Sequence, residues 1–202
     1  MNNRFSVNTD FNKFVEFFWE ENSKHNLISK NDEKFIFEKH IYDSLSLKLF
    51  LSKYNLKNGS ILDIGCGGGF PCVPLAIELK SFDITGIDSI QKKVNSVIKI
   101  KELLNIDNLN LICGRVEMLN REKKYDIIVS RAVGELSKIC VYALPLLKKG
   151  GYFVAYKSRK KDEEILKAEN VLKIFNAKIV EIIEYSLPLE EQFERNLVVV
   201  KL

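Results

Sequence analysis

A short apolar strand that runs straight into a ladder of glycines constrains this chain more than any other feature. Residues 60–71 read Ser-Ile-Leu-Asp-Ile-Gly-Cys-Gly-Gly-Gly-Phe-Pro, with Gly65, Gly67 and Gly69 at alternate positions. A helix is expected to open at Pro71. Glycine lets the backbone turn sharply and leaves no Cβ between the main chain and a ligand. The helix start behind the turn offers unpaired N–H groups. A strand–glycine–helix unit of this kind fits an open α/β sheet that holds a nucleotide-like ligand in the crevice at its strand ends.

The rest of the chain agrees with that architecture. After Gly59, strands are expected at 60–65, 82–88, 109–114, 125–130, 150–157, 178–186 and 196–201. Helices are expected at 71–80, 90–104, 135–147 and 161–175, which is the alternation of an α/β domain. Only the polar stretch from Pro188 to Arg195 separates the last two strands, a spacing that allows an antiparallel hairpin at the sheet edge. Ahead of Gly59, Phe11, Phe14, Val15 and Phe18 fall at i, i+3, i+4 and i+7, marking an amphipathic helix over 9–22 with Thr9 as its N-cap. A second helix is expected to begin at Asn31-Asp32-Glu33 and to carry the Ile41, Leu45, Leu49 stripe to about Tyr54. Residues 1–57 are therefore read as an N-terminal helical extension and residues 58–202 as the α/β domain.

Glycine spacing narrows the cofactor. A dinucleotide fingerprint needs Gly-x-Gly-x-x-Gly or a final Ala, but the sixth position is Phe70 counted from Gly65 and Cys72 counted from Gly67. A phosphate loop needs Lys-Ser or Lys-Thr after the glycines, and none follows. The remaining pattern, Asp63-x-Gly65-x-Gly67-x-Gly69, resembles the first motif of class I S-adenosylmethionine (SAM) methyltransferases. That resemblance implies a Rossmann-like fold: a seven-stranded, mostly parallel sheet with helices on both faces. Asp88 ends the second strand 23 residues after Gly65, where a carboxylate can accept ribose hydroxyls or cap the following helix. In the methyltransferase layout the loop Cys113-Gly-Arg-Val-Glu117 flanks the adenine, and Ser130-Arg131-Ala132-Val133 faces the methyl donor. Arg131 can clamp the cofactor's carboxylate or a substrate phosphate, or pair with a nearby acid.

Composition sets outer bounds. No apolar run reaches the roughly 18 residues of a membrane span, and the N-terminus lacks the apolar segment of a signal peptide. The four cysteines show no Cys-x-x-Cys spacing and there are two histidines, so neither a structural metal nor a disulfide framework is expected. A reduced, cytoplasmic protein is the expectation. The net charge of +4 suits a polyanionic partner without demonstrating one.

The loop after the fourth strand bears on the reaction. Exocyclic-amine methylation commonly uses an Asn/Asp-Pro-Pro-Tyr turn, and this chain has Ser-Arg-Ala-Val there. Pyrimidine C5 methylation needs an attacking thiolate, yet the only Pro-Cys pair, Pro71-Cys72, lies at the glycine loop, where Cys72 reads as packing. A ring nitrogen such as guanine N7 has an exposed lone pair and no proton to lose, so it needs alignment and electrostatics and no base.

Several further segments carry a more specific resemblance. Ile61-Leu-Asp-Ile-Gly-x-Gly-x-Gly-Phe-Pro-x-x-Pro-Leu75, Asp88-Ser89 with Lys92-Lys93-Val94, Arg115-Val-Glu117 and Ser130-Arg-Ala132 recur in the bacterial 16S rRNA guanine-N7 methyltransferases. Lys39-His40-Ile-Tyr-Asp43-Ser44-Leu45 resembles that family's Arg-His-x-x-Asp-Ser-Leu motif, and Asn26-Leu27, Ala143-Leu-Pro-Leu-Leu-Lys-x-Gly-Gly151, Ala155-Tyr-Lys157 and, Asn196 apart, Glu194-Arg-Asn-Leu197 are similar to further segments of it. The chain resembles that family, also called RsmG or glucose-inhibited division protein B, over about residues 10–202. Three positions depart from its pattern: Cys72 and Ser158 stand where it has glycine, and Asn196 where it has histidine.

The resemblance implies SAM as cofactor and 16S rRNA or the small-subunit particle as partner, with no membrane association and a monomer as the expected state. The cofactor-contacting set is Gly65, Gly67, Gly69, Phe70, Asp88, Ser89, Val116, Glu117 and Arg131, with Arg131 contributing orientation and electrostatics to the transfer. His40, Asp43, Lys92, Arg115, Lys157 and Arg195 are candidates for ordering the site or holding RNA. Plainer alternatives stand beside several of them: His40 as a core histidine, Lys92 as a solvated helix residue, and Asp43 paired with one of these two. Lys157, Arg159, Lys160 and Lys161 can equally cap and solvate a helix start. The competing functions are a SAM methyltransferase for a small molecule or protein, and a SAM-dependent RNA-binding module without catalysis. An NAD oxidoreductase is already disfavoured by the glycine spacing.

Overall fold

Runs such as Ile127–Val129 and Leu197–Val200 are apolar on consecutive positions, so their strands must be covered on both faces. The computed structural model, which describes residues 9–158, 161–189 and 193–202 (side chains from residue 11 onward), shows that covering. The strands are β1 (Gly59–Ile64), β2 (Phe82–Asp88), β3 (Leu109–Cys113), β4 (Tyr125–Arg131), β5 (Leu147–Lys157), β6 (Lys178–Leu187) and β7 (Phe193–Lys201). They form one sheet in the order β3-β2-β1-β4-β5-β7-β6. All neighbours are parallel except β7, which runs antiparallel to both β5 and β6. The order reverses between β1 and β4, which opens a crevice at their carboxyl ends.

Side-chain alternation divides the interior in two. Ile61, Ile127, Val129, Val154, Leu197 and Val199 point to one core, and Leu62, Ile128, Phe153, Ala155, Val198 and Val200 to the other. Helices α4 (Cys72–Glu78) and α5 (Gln91–Leu103) bury their apolar faces in the first core, and α6 (Leu136–Ala143) and α7 (Lys161–Ile174) in the second. The N-terminal extension shares the first core through Phe11, Phe14 and Phe18 of α1 (Thr9–His25) and through Ile41, Leu47 and Phe50 further on. No helix of the described residues is long and apolar enough to cross a membrane.

Two expected helices end differently. The second helix of the extension is a 3-10 turn (Lys30–Phe35), a π-helical segment (Ile36–Tyr42), α2 (Asp43–Leu45) and α3 (Leu47–Lys53). Competing donors account for the break. Arg131 takes the Lys39 carbonyl at 2.9 Å, Ser44 takes that of His40 at 2.6 Å, Ser46 that of Asp43 at 2.7 Å and the Tyr156 hydroxyl that of Ser44 at 2.7 Å. Single-turn π segments gather at functional sites, where the ladder yields to side chains. The helix expected over 135–147 stops at Ala143, because Pro145 has no N–H to continue it, and a 3-10 turn over Leu144–Leu146 leads directly into β5. The side chain of Thr9 and residues Arg159 and Lys160 lie outside the described set.

Candidate active site

The carboxyl ends of β1, β2, β3 and β4 meet at one edge: Ile64 is level with Ile87 and Ser130, and Asp88 with Cys113. The residues that follow these ends line a cleft of about 670 Å³, within the range of small-molecule and cofactor sites. Gly65, Gly67, Phe70, Asp88, Ser89, Arg115, Val116, Glu117, Arg131 and His40 all face it.

Main-chain geometry shapes the glycine end. Gly65 has φ +74°, and a Cβ there would lie 2.4 Å from Val133 Cγ2. Gly67 has φ +52°, and a Cβ added there would meet nothing closer than 3.9 Å, leaving an open cradle beside the cleft. Gly69 does not line the cleft; its missing Cβ makes room for Val73 at 2.7 Å, so it serves packing. Gly68 lines the cleft in its place, under Leu27, whose Cβ would be 2.9 Å from an added methyl. The Gly67 N–H donates to Asp88 Oδ2 at 2.9 Å and the Ile90 N–H to Asp88 Oδ1 at 2.9 Å. Asp88 therefore ties the second strand end to the glycine turn as well as facing the cleft.

Beneath the turn, Asp63 is fully buried, accepts the Cys72 N–H at 3.0 Å through Oδ2 and leaves Oδ1 without a partner. Burial raises its pKa to about 7. Cys72 is buried as packing: a Cβ on Gly86 would meet its Sγ at 3.1 Å and the Cβ of Cys66 at 3.2 Å. The other two departures from the family pattern touch each other, since the Asn196 side-chain amide donates to the Ser158 carbonyl at 3.4 Å.

Side chains from several segments make the opposite end. Arg131 sits at the carboxyl end of β4, followed by Ala132 at φ +58°, a backbone state that non-glycine residues adopt rarely and often near functional sites. Its Nη1 donates to the Lys39 carbonyl and to Asp43 Oδ2 at 3.1 Å, its Nη2 faces His40 Nδ1 at 3.0 Å, and its guanidinium lies 5.4 Å from the Phe70 ring centre. Arginine only donates, so Nδ1 accepts and the neutral imidazole carries its proton on Nε2. Burial, reinforced by the Arg131 charge, lowers the His40 pKa to about 4. Asp43, buried, also accepts the Tyr185 hydroxyl at 2.7 Å and lies 3.9 Å from Arg195 Nε. The expectation that Arg131 pairs with a nearby acid thus matches the geometry, whereas Asp43, expected to pair with His40 or Lys92, is held by Arg131 and Tyr185 instead.

Other candidates fall away from the cleft. Lys92 is exposed on the first turn of α5, and its neighbour Lys93 lines the cleft. Lys157 is directed to the Gly134 carbonyl at 2.7 Å and Glu164 at 2.5 Å, and Arg195 to Asp43. Several wall residues went unforeseen: Ile28, Lys138 and Tyr142 on the cleft, and Tyr185 behind Asp43. Tyr185 carried no signal beyond its place in an alternating strand. Among the described residues, no group of three or more His, Cys, Asp or Glu could hold a metal ion.

The fold recurs in solved methyltransferases. Among them are M. jannaschii TYW2 in complex with AdoMet (TM-score 0.59, 15% identity, 79% of this chain and 74% of that one) and a putative RNA methyltransferase from Pyrococcus horikoshii (TM-score 0.58, 14% identity, 79% and 82%). At that identity they establish the class I methyltransferase fold alone. The sequence comparisons reach further. Ribosomal RNA small subunit methyltransferase G of Staphylococcus saprophyticus is 34% identical over 193 residues, covering 94% of this chain and 80% of that protein. Its counterpart in Lachnoclostridium phytofermentans is 36% identical over 196 residues, covering 95% and 79%. The family model described as rRNA small subunit methyltransferase G matches residues 7–197. With that match spanning most of the chain, the protein belongs to the rRNA small subunit methyltransferase G family.

Proposed function

We propose that this protein transfers a methyl group from SAM to N7 of a guanine in 16S ribosomal RNA, acting in the cytoplasm on the RNA or the small-subunit particle. The open cradle at Gly67 and the carboxylate of Asp88 beside it suit a nucleoside, with Ser89, Val116 and Glu117 along the adenine side. Bound SAM supplies an electrophilic methyl on a sulfonium. The chain's own part is to position the acceptor, exclude water and keep the local charge fixed.

One observation carries the choice of N7. At the Arg131 end, the groups able to act as bases are already engaged: His40 accepts from Arg131 through Nδ1, and Asp43 is held by Arg131 and Tyr185. A guanidinium donates hydrogen bonds and offers no acceptor to a proton. An acceptor that must lose a proton is poorly served there, whereas the N7 lone pair needs none removed. Arg131 provides orientation and electrostatics.

Nucleoside mass spectrometry of 16S rRNA from cells with and without the protein is the decisive experiment, with loss of 7-methylguanosine expected. Methylation on an exocyclic amine or a ring carbon would overturn the assignment. Since His40 is already neutral above about pH 5 by its lowered pKa of about 4, kcat should show no limb from a catalytic histidine between pH 6 and 9.

A further inference from the structure

Phe35 and Phe193 are half-buried, and neither ring is packed into either apolar core. They come from distant segments, the 3-10 turn of the extension and the first residue of β7. Cations sit over both. Lys34 Nζ is 4.9 Å and Lys39 Nζ 4.7 Å from the Phe35 ring centre, while Lys39 Nζ is 5.3 Å and the Arg195 guanidinium 5.6 Å from that of Phe193. Lys39 thus joins the two rings.

The cluster is continuous with the cleft. Lys39 gives its carbonyl to Arg131, which lines the cleft, and Arg195 reaches the same Asp43 that holds Arg131. Asp32 serves Lys39, one carboxylate at Asp43 serves two guanidiniums, and Lys34 has no ion pair among the described residues. Two half-buried aromatic rings interleaved with cations are recognition elements of single-stranded nucleic acid: bases stack on the rings while cations meet the phosphates. A duplex buries its base faces and cannot use such rings.

We propose that Phe35 and Phe193, with Lys34, Lys39 and Arg195, form a stacking platform for unpaired RNA that leads the target nucleotide into the cleft. This rests on the RNA-methyltransferase reading above and adds to it the strand state of the substrate and the surface that receives it. The platform takes bases already out of the helix, so the flanking segment enters single-stranded.

The test uses the full chain, an end-labelled unstructured A/C-rich oligoribonucleotide, a duplex of the same sequence, and 16S rRNA. Phe35→Leu and Phe193→Leu keep apolar bulk but remove the ring. Each should weaken oligonucleotide binding on the order of tenfold, with SAM affinity by calorimetry and thermal midpoint preserved. Phe35→Trp and Phe193→Trp should restore binding, and the duplex should bind more weakly than the single strand. Leucine variants that bind like the wild type, or equal affinity for duplex and single strand, would overturn the platform. If the wild type still methylates 16S rRNA in that case, the platform falls alone. If the wild type neither binds nor methylates RNA, the RNA reading falls and takes the platform with it.

Discussion

At the glycine end of the cleft the wall is main chain, fixed by positive φ at Gly65 and Gly67 and by one carboxylate that spans from β2 to the turn. At the Arg131 end the wall is a side-chain network drawn from the extension, β4, β6 and β7. The turn and carboxylate of the first end lie within about two dozen residues of sequence, with Leu27 and Val133 packed over the glycines, whereas the second end rests on contacts separated by 88 and 142 residues. A main-chain wall suffers most from side chains added where neighbours already crowd it, as Val133 crowds Gly65. A network tolerates neither the loss of a partner nor a shift of the elements that carry it.

The largest effect should come from adding atoms at the glycine end. Gly65→Val places a branched side chain where Val133 Cγ2 already lies 2.4 Å from the first added carbon, on a backbone at φ +74°. SAM affinity by calorimetry should fall at least about 100-fold, the scale of a displaced site. Gly67→Val meets open space but strains φ +52°, so its loss should be nearer tenfold, from about 1–2 kcal/mol of left-handed backbone strain plus intrusion into the cradle. Equal, small losses at both positions would mean the turn is not built by main-chain fit.

Removing a partner should dominate at the other end. Asp43→Asn leaves Arg131 and Arg195 without their shared carboxylate while Asp43's site stays buried. Breaking a buried pair on one side costs about 3–5 kcal/mol, so urea unfolding should show a loss near the lower figure, with kcat falling more than SAM affinity. Arg131→Lys should retain part of the stability and little of the activity, since an ammonium cannot serve Lys39, Asp43 and His40 from one plane. A variant that loses SAM binding first would place the network at the nucleoside instead.

This contrast explains what the sequence disclosed. Strand positions followed from the strand–helix alternation after Gly59, and Gly65, Gly67 and Asp88 from spacing, because each rests on local chain geometry. Gly69 looked identical in the motif, yet only the placement of Val73 and Val97 shows that it makes room for packing. Arg131 stood out by its position after β4, but not its partner: nothing near Arg131 in sequence announces Asp43, Tyr185 or the Lys39 carbonyl. The broken helix at 30–53 was illegible for the same reason. Its periodicity is helical, and the donors that divert its carbonyls include Arg131 and Tyr156, far along the chain.

Titration gives each end its own signature. His40 has a folded pKa of about 4, below its ordinary value of 6.5, so its contribution is fully present above pH 6.5 and is lost as pH falls toward 4. Asp63 has a folded pKa of about 7, above its ordinary 3.8, so stability falls as pH rises from about 4 to 7. Between pH 4 and 6.5 the two slopes oppose each other, each on the order of 2–4 kcal/mol across its window. Urea midpoints for Asp63→Asn should rise more steeply with pH than the wild type. Those for His40→Gln should rise less steeply or fall. Parallel profiles for all three proteins would show that neither group is buried in its stated form.

The smallest effect should be at Lys157, which the resemblance offered as a hand for RNA. Its side chain is 11% exposed and already bonded to Glu164 and the Gly134 carbonyl. Glu164 also accepts the Leu136 N–H at 2.7 Å, so the lysine braces the start of α6 through a carboxylate that has a second donor. Lys157→Ala should therefore cost about 1 kcal/mol in stability, the value of a partly exposed charged hydrogen bond. A lysine engaged inward releases no counterion when RNA binds, so the salt dependence of the RNA KM should keep its slope. A cation on phosphate would behave otherwise, lowering the slope by about one unit when removed. Should Lys157→Ala leave the urea midpoint untouched while flattening that slope, the lysine leaves Glu164 in the complex, and the division between a paired framework and a free cationic rim moves one residue toward RNA.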